Sequence, residues 1–284
     1  MTTRNDPSAL RWLIGIELKR YRELADITLA EAGKRLSRTD AKISTMESGK
    51  YGQNPTEVAR LLEFYGADPA DIDRMVSLAS KGDQRTWWAP WDDLVPDWLK
   101  TFVGLEGLAA EVFSYEPIAI NALLQTEAYT AALVGSSPRV RADNTDRVVE
   151  LRAERQRRLT DSENSLTLRA VIEESTLDRP VGGPKTMRTQ LEHLLELNKL
   201  PNVDLRVIKT SVGVHAGHTG KFTLLGFTEF RDIGYVEMQE GAMYVQDDLQ
   251  VRAYNRSAEN LLGAALGQRD TASLISSRIK GLKT

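Results

Sequence analysis

The sequence predicts a mainly helical N-terminal bundle of five helices, followed by a larger α+β domain with an antiparallel or mixed sheet. Three observations carry this. The first 80 residues show five short apolar patterns of helical period, each bounded by a capping residue. Residues 81–86 (KGDQRT) are polar and aperiodic. Beyond them, helical segments alternate with strand-like runs, and the last three runs follow closely on one another. The expected organisation is a domain over 1–80, a linker over 81–86 and a second domain over 87–284.

Each element has a local reason. Leu10, Ile14, Leu18, Tyr21 and Leu24 recur at helical spacing and stop before Asp26-Ile27. Thr28 with Glu31 makes a capping box for a helix to Leu36. Ser37-Arg38-Thr39 has room only for a turn, and Thr39 caps a third helix that buries Ile43 and Met46 and ends at Gly49. Pro55-Thr56 opens a fourth helix with Val58, Leu61, Leu62 and Tyr65 inward, and Pro69 opens a fifth with Ile72, Met75 and Val76 inward. In the second domain, helices are expected near 98–111, 126–134, 145–159, 185–197, 249–266 and 271–282. Strands are expected at 166–173, 203–209, 221–227, 233–238 and 242–246, the last three favouring an antiparallel meander over βαβ units.

Composition narrows the function. The 284 residues, 41% hydrophobic and 27% charged, have the make-up of a folded globular chain. No cysteine is present, so disulfides, thiolate metal sites and Cys nucleophiles are excluded, and a reducing, cytoplasmic setting is expected. The most apolar stretch, Phe102–Phe113, carries Glu106 and Glu111 and is too short to span a bilayer, and Met1–Leu10 has no apolar signal core; neither membrane insertion nor secretion is expected. Residues 1–50 hold ten Lys or Arg against seven Asp or Glu, whereas the rest holds 27 against 33. A mildly basic end on an acidic body fits an anion-facing module.

The residue types at the second and third helices sharpen this. Gly33 stands where two helices must approach closely. The narrow apolar stripe of Ile43 and Met46 leaves Asp40, Ala41, Lys42, Ser44 and Thr45 outward, short or cationic side chains suited to a helix N-terminus in a major groove. Residues 10–65 resemble the lambda-repressor/XRE-type helix-turn-helix, with Ile43-Ser44-Thr45-Met46-Glu47-Ser48-Gly49 matching the end of the family's recognition helix. The resemblance implies that Glu47 pairs structurally with an Arg of the first helix, for which Arg22 is the candidate. Thr45 stands where relatives carry Arg or Gln to read a base, and Ser37 replaces the usual turn Gly. Asp40 has two readings, accepting from a cytosine amino group or capping its own helix. The expected DNA-contacting set is Thr28, Arg38, Thr39, Asp40, Ala41, Lys42, Ser44, Thr45 and Lys50.

From Trp87 onward the chain resembles the actinobacterial WhiJ-like regulators. The stretches that carry the likeness include Leu123–Tyr129 (LLQTEAY), Arg152–Gln156 (RAERQ), Glu174–Gly183 (ESTLDRPVGG), Gln190–Leu195, Gly217–Phe222 (GHTGKF) and Tyr235-Val236-Glu237. Relatives have Pro-Gly where Asn121-Ala122 precede the Leu-Leu-Gln-Thr segment here. The resemblance implies a transcriptional regulator of development or antibiotic production whose C-terminal domain meets a small BldB-like protein. An antitoxin-like protein that sequesters such a partner, and binds DNA only to regulate itself, is the alternative. Double-stranded DNA and a second copy of the chain, as a homodimer on a pseudo-palindromic site, are the other expected partners.

Trp87, Trp88, Trp91 and Trp98 crowd together, as a core wedge or clamp or as the wall of an aromatic pocket. Ligand or partner contacts are expected at Trp87, Trp88, Trp91, Gln125, Tyr129 and Arg155. His215 and His218 lack a third ligand nearby, so no metal is expected. The stretch 213–221 lacks the first Gly and the Ser/Thr of a phosphate loop. Arg152, Arg155, Arg157 and Arg158 cluster on one expected helix, as a solvated face or a contact for an acidic partner or DNA backbone. No nucleophile elbow or triad spacing is present, so neither catalysis nor a cofactor is expected.

Overall fold

A computed structural model describes residues 6–81, 86–138 and 140–282. Five helices open the chain: α1 (Pro7–Leu24), α2 (Leu29–Leu36), α3 (Asp40–Glu47), α4 (Pro55–Tyr65) and α5 (Pro69–Ala79). After them come α6 (Asp97–Leu108), β1 (Glu111–Glu116), α7 (Glu127–Gly135), α8 (Thr145–Gln156), β2 (Thr167–Glu173), α9 (Glu174–Asp178) and α10 (Gly183–Leu197). The chain closes with β3 (Val203–Ile208), β4 (Phe222–Gly226), β5 (Ile233–Met238), β6 (Gly241–Val245), α11 (Asp248–Ala264) and α12 (Gln268–Gly281). Two compact units result. Residues up to Pro90 are joined by Leu99–Leu108, while Trp91–Trp98 group with Ala109 onward. Of the expected linker over 81–86, residues 82–85 lie outside the described ones.

In the first unit, α1 packs on α3, α4 and α5. Its N-cap, Asp6, is fully buried and satisfied: the carboxylate accepts from the backbone N–H of Ser8 at 3.1 Å and Ala9 at 3.0 Å, and from the indole N–H of Trp88. A Cβ at Gly104 of α6 would come within 2.7 Å of that carboxylate, so the glycine is what lets α6 approach. Trp88 is therefore core, 4% exposed with its polar atom occupied, as the wedge reading expects.

The second unit is built on one six-stranded mixed sheet in the order β3-β2-β1-β4-β5-β6. β1, β2 and β3 are parallel, and β4, β5 and β6 continue antiparallel from β1. The meander expected for the last three strands forms. The other half, however, is made of crossovers, β1 to β2 through α7 and α8 and β2 to β3 through α9 and α10, so βαβ units and meander share one sheet.

The helix expected over 98–111 stops at Leu108, and Glu111 begins β1 at the centre of the sheet. That strand was missed because Val112, Phe113, Ser114 and Tyr115 are all buried, so neither face shows a polar alternation. Phe113, Tyr115, Val171, Ile208, Phe222 and Leu224 form a core with Ala258, Leu261 and Leu262 of α11 on one sheet face. Ser114, Ala170 and Ile172, of opposite parity, are buried on the other. No helix among the described residues is long and apolar enough to cross a membrane.

Candidate nucleic-acid interface

The turn between α2 and α3 is set by local chemistry. Thr28 caps α2 with both halves of the box in place: its hydroxyl accepts the Glu31 N–H at 3.2 Å, and its own N–H donates to Glu31 Oε2 at 2.8 Å. That N–H, and then the Thr28 hydroxyl, hold the Glu31 carboxyl below its ordinary range. α2 ends on Ser37 in the left-handed region, φ +57°, the position where a glycine is free of steric cost. A Cβ at Gly33 would lie 2.8 Å from the Arg38 carbonyl oxygen, so only glycine admits this tight approach to the turn. Thr39 then caps α3 through the Lys42 N–H at 3.2 Å.

The back of α3 is locked to α1. Ile43 and Met46 are buried, and the Arg22 guanidinium meets the Glu47 carboxylate two-pronged, at 2.6 and 2.9 Å, while also donating to the Ile27 carbonyl at 2.9 Å. This is the pair that the resemblance implied. At Gly15 of α1, an added Cβ would stand 2.4 Å from the Glu47 carbonyl oxygen, which fixes how closely the two helices meet. The consequence is a rigidly seated α3 whose other face is open.

On that face the nine expected residues stand in different states. Thr28, Arg38, Thr39, Asp40, Ala41, Ser44 and Lys50 are exposed, and Lys42 and Thr45 are half-buried. The ammonium groups of Lys42 and Lys50 have no partner among the described residues. Asp40 accepts the Ala41 N–H at 2.7 Å, so its carboxylate occupies one of its own helix's free donors, the capping alternative. Thr45 donates its hydroxyl to the Ala41 carbonyl, which leaves its methyl and oxygen lone pair outward. Arg38 is paired with Glu57 at 3.0 Å. An open groove is lined by Ser37, Arg38, Thr39, Lys42, Asn54 and Glu57, and the capped N-termini of α3 and α4 both border it. Asn54 and Glu57 were not foreseen at this surface. Asn54-Pro55 is legible as a helix start, but its position beside α3 depends on how α4 packs.

The residues expected to meet a ligand or partner fall apart in the same way. Trp87 and Trp88 belong to the first unit, and Trp91 to the second. Gln125 and Tyr129 are buried in the second unit, Gln125 bonding Ile120 O at 2.6 Å and Thr130 Oγ1 at 2.9 Å, Tyr129 accepting the Ile120 N–H at 3.3 Å. Arg155 is half-buried on α8. The expected arginine cluster does not share one face: α8 ends at Gln156, Arg157 is exposed, and Arg158 turns inward to the Ala109 carbonyl at 2.7 Å. His215 donates Nε2 to Glu173 at 3.0 Å and accepts the Gly217 N–H on Nδ1 at 3.1 Å, so both nitrogens are committed to holding a loop. No group of three or more metal-ligating side chains occurs among the described residues.

Two families match the chain. Residues 13–75 match a helix-turn-helix domain, and residues 99–277 match a domain of unknown function (DUF5753). No curated protein and no solved structure matches it. The helix-turn-helix match, on the residues whose geometry is described above, points to a DNA-binding regulator. The second match spans more than half of the sequence, and the chain belongs to the family defined by that domain (DUF5753), here preceded by a helix-turn-helix.

Proposed function

We propose that the protein is a sequence-specific, DNA-binding transcriptional regulator, in which α3 enters the major groove and the larger unit binds an effector or a small partner protein. The observation that carries this is the α3 surface itself: a short helix locked from behind by the Arg22–Glu47 pair, presenting two unpaired cations and small polar side chains beside two capped helix N-termini. Capped N-termini aim backbone N–H groups outward where phosphates can take them. In this reading Lys42 and Thr45 lie nearest base edges, with Asp40 and Ala41 at the entering end. Thr28, Arg38, Thr39, Ser44 and Lys50 set the register through the backbone.

A module this small gives limited affinity, which favours a homodimer on half-sites about one helical turn apart. The likeness to WhiJ-like regulators supports a developmental or antibiotic-production role and a small BldB-like partner. No observed geometry favours the antitoxin alternative over it. Fluorescence anisotropy on the protein's own upstream DNA and on random duplex, over a salt series, tests the DNA reading. Tighter binding to the upstream fragment, weakening linearly in log–log with salt, is expected. Equal, weak binding to both duplexes contradicts it.

A further inference from the structure

The second unit holds a charged cluster to which the family matches assign no role and which the sequence pattern does not bring together. It lies at the carboxyl ends of the parallel strands, on the sheet face opposite the α11 core. Tyr115 pairs with Phe222 and Thr223 with Tyr235, so continuing the register by one residue from the first pair and two from the second aligns Glu116 of β1, Lys221 just before β4 and Glu237 of β5. The ion pair between Lys221 and Glu237, at 3.2 Å, agrees with that alignment. Over the row stand Arg152 of α8 and Tyr129 of α7, both acting electrostatically on Glu116 or acted on by it.

The pairing stops short where it is most expected. Among the described residues, the Glu116 carboxylate takes no hydrogen bond and no ion pair, and Arg152 has no carboxylate within ion-pair distance. The guanidinium's one bond goes to the side-chain oxygen of Gln125, which Thr130 also holds. Opposite charges that act on each other without a direct bond are each open to a ligand group of the other sign. Burial pushes the Glu116 carboxyl up to about 7 despite Lys221, and lowers Arg152 to about 10, with Arg155 adding to the second effect. Perturbed charges of opposite sign at the carboxyl end of parallel strands are where ligands of α/β sheets bind.

We infer that this cluster is a binding site for a small zwitterionic molecule. Its carboxylate or phosphate would be taken by the Arg152 fork, and its amino group by Glu116. Gln125 is the positioning residue that aims Arg152, and Lys221 holds Glu237. The inference is independent of the DNA reading, because binding is read on the chain with no DNA present.

Thermal denaturation of the full chain, alone and with glycine, β-alanine, 4-aminobutyrate, phosphoethanolamine, acetate or inorganic phosphate, tests it. At a concentration about a hundredfold above Kd, a zwitterion of the right span raises Tm by about 5 °C or more. Acetate and phosphate, lacking the amino group, raise it less. Whether the carboxylate or the phosphate series wins distinguishes the two anion types. The rise disappears in Glu116→Gln and Arg152→Gln and is weakened in Arg152→Lys, while without ligand Glu116→Gln melts no lower than wild type. Three results overturn the inference: no probe shifts the wild type, the shift survives both substitutions, or Glu116→Gln alone lowers Tm as a broken structural pair does.

Discussion

The two units handle their charges in opposite ways. In the helical unit the groups at the helix starts find partners within a few residues: Asp6 in Ser8 and Ala9, Thr28 in Glu31, Asp40 in Ala41, Asn54 in Thr56 and Glu57. The long-range ion pair that seats α3, Arg22 with Glu47, is complete and two-pronged. In the α+β unit the charges that matter are brought together by strand register across more than a hundred residues, and Glu116 and Arg152 are left unmatched. A surface built to be rigid and a site built to be filled differ in this respect. Satisfied networks specify one conformation, while unsatisfied ones store binding capacity at some expense of stability.

The largest effect is expected at Glu47→Ala, which strands a buried guanidinium and lowers stability by about 3–5 kcal/mol in urea unfolding. A loss under about 1 kcal/mol would mean that the pair is not what seats α3.

Next comes the pH response of Glu116, which Lys221, Glu237 and Arg152 face. Its folded pKa is raised, so its contribution is fully present below about 4.5 and is lost as pH rises through about 7. The linked loss is at most about 3 kcal/mol. Unfolding of wild type and Glu116→Gln from pH 4 to 8 should show a slope in the first that is shallower in the second; parallel slopes would remove Glu116 from the account.

Ser37→Gly is expected to stabilise by about 0.5–1 kcal/mol, because Ser37 sits at φ +57°. Smallest of all, Glu57→Gln frees Arg38 from its exposed pair and should raise affinity for random duplex a few-fold, with a steeper salt slope. Unchanged affinity would place Arg38 away from the phosphates.

Legibility in the sequence follows the same divide. The helical unit was readable because caps, Pro-initiated helices and the Thr28–Glu31 box are short-range signals, and even the Arg22–Glu47 pair was reachable through the likeness of Ile43–Gly49 to a known recognition helix. The groove residues Asn54 and Glu57 were not, since their place beside Lys42 is a packing result. In the second unit, strands with one half-polar face were found, and β1 was lost because both its faces are buried. Without β1 there is no row of Glu116, Lys221 and Glu237 to see. Gln125, Tyr129 and Arg155, chosen for other reasons, do stand around Arg152. Of the two charges at the heart of the cluster, Arg152 was visible only as one of four arginines on a helix, and Glu116 carried no local mark.

If α3 reads DNA, binding to fragmented genomic DNA must differ between wild type and the Lys42→Ala/Thr45→Ala double variant. Discrete bound fragments with the wild type, lost in a variant of unchanged Tm, are the predicted result. The same fragments recovered with both proteins, or no enriched fragment with either, would contradict it.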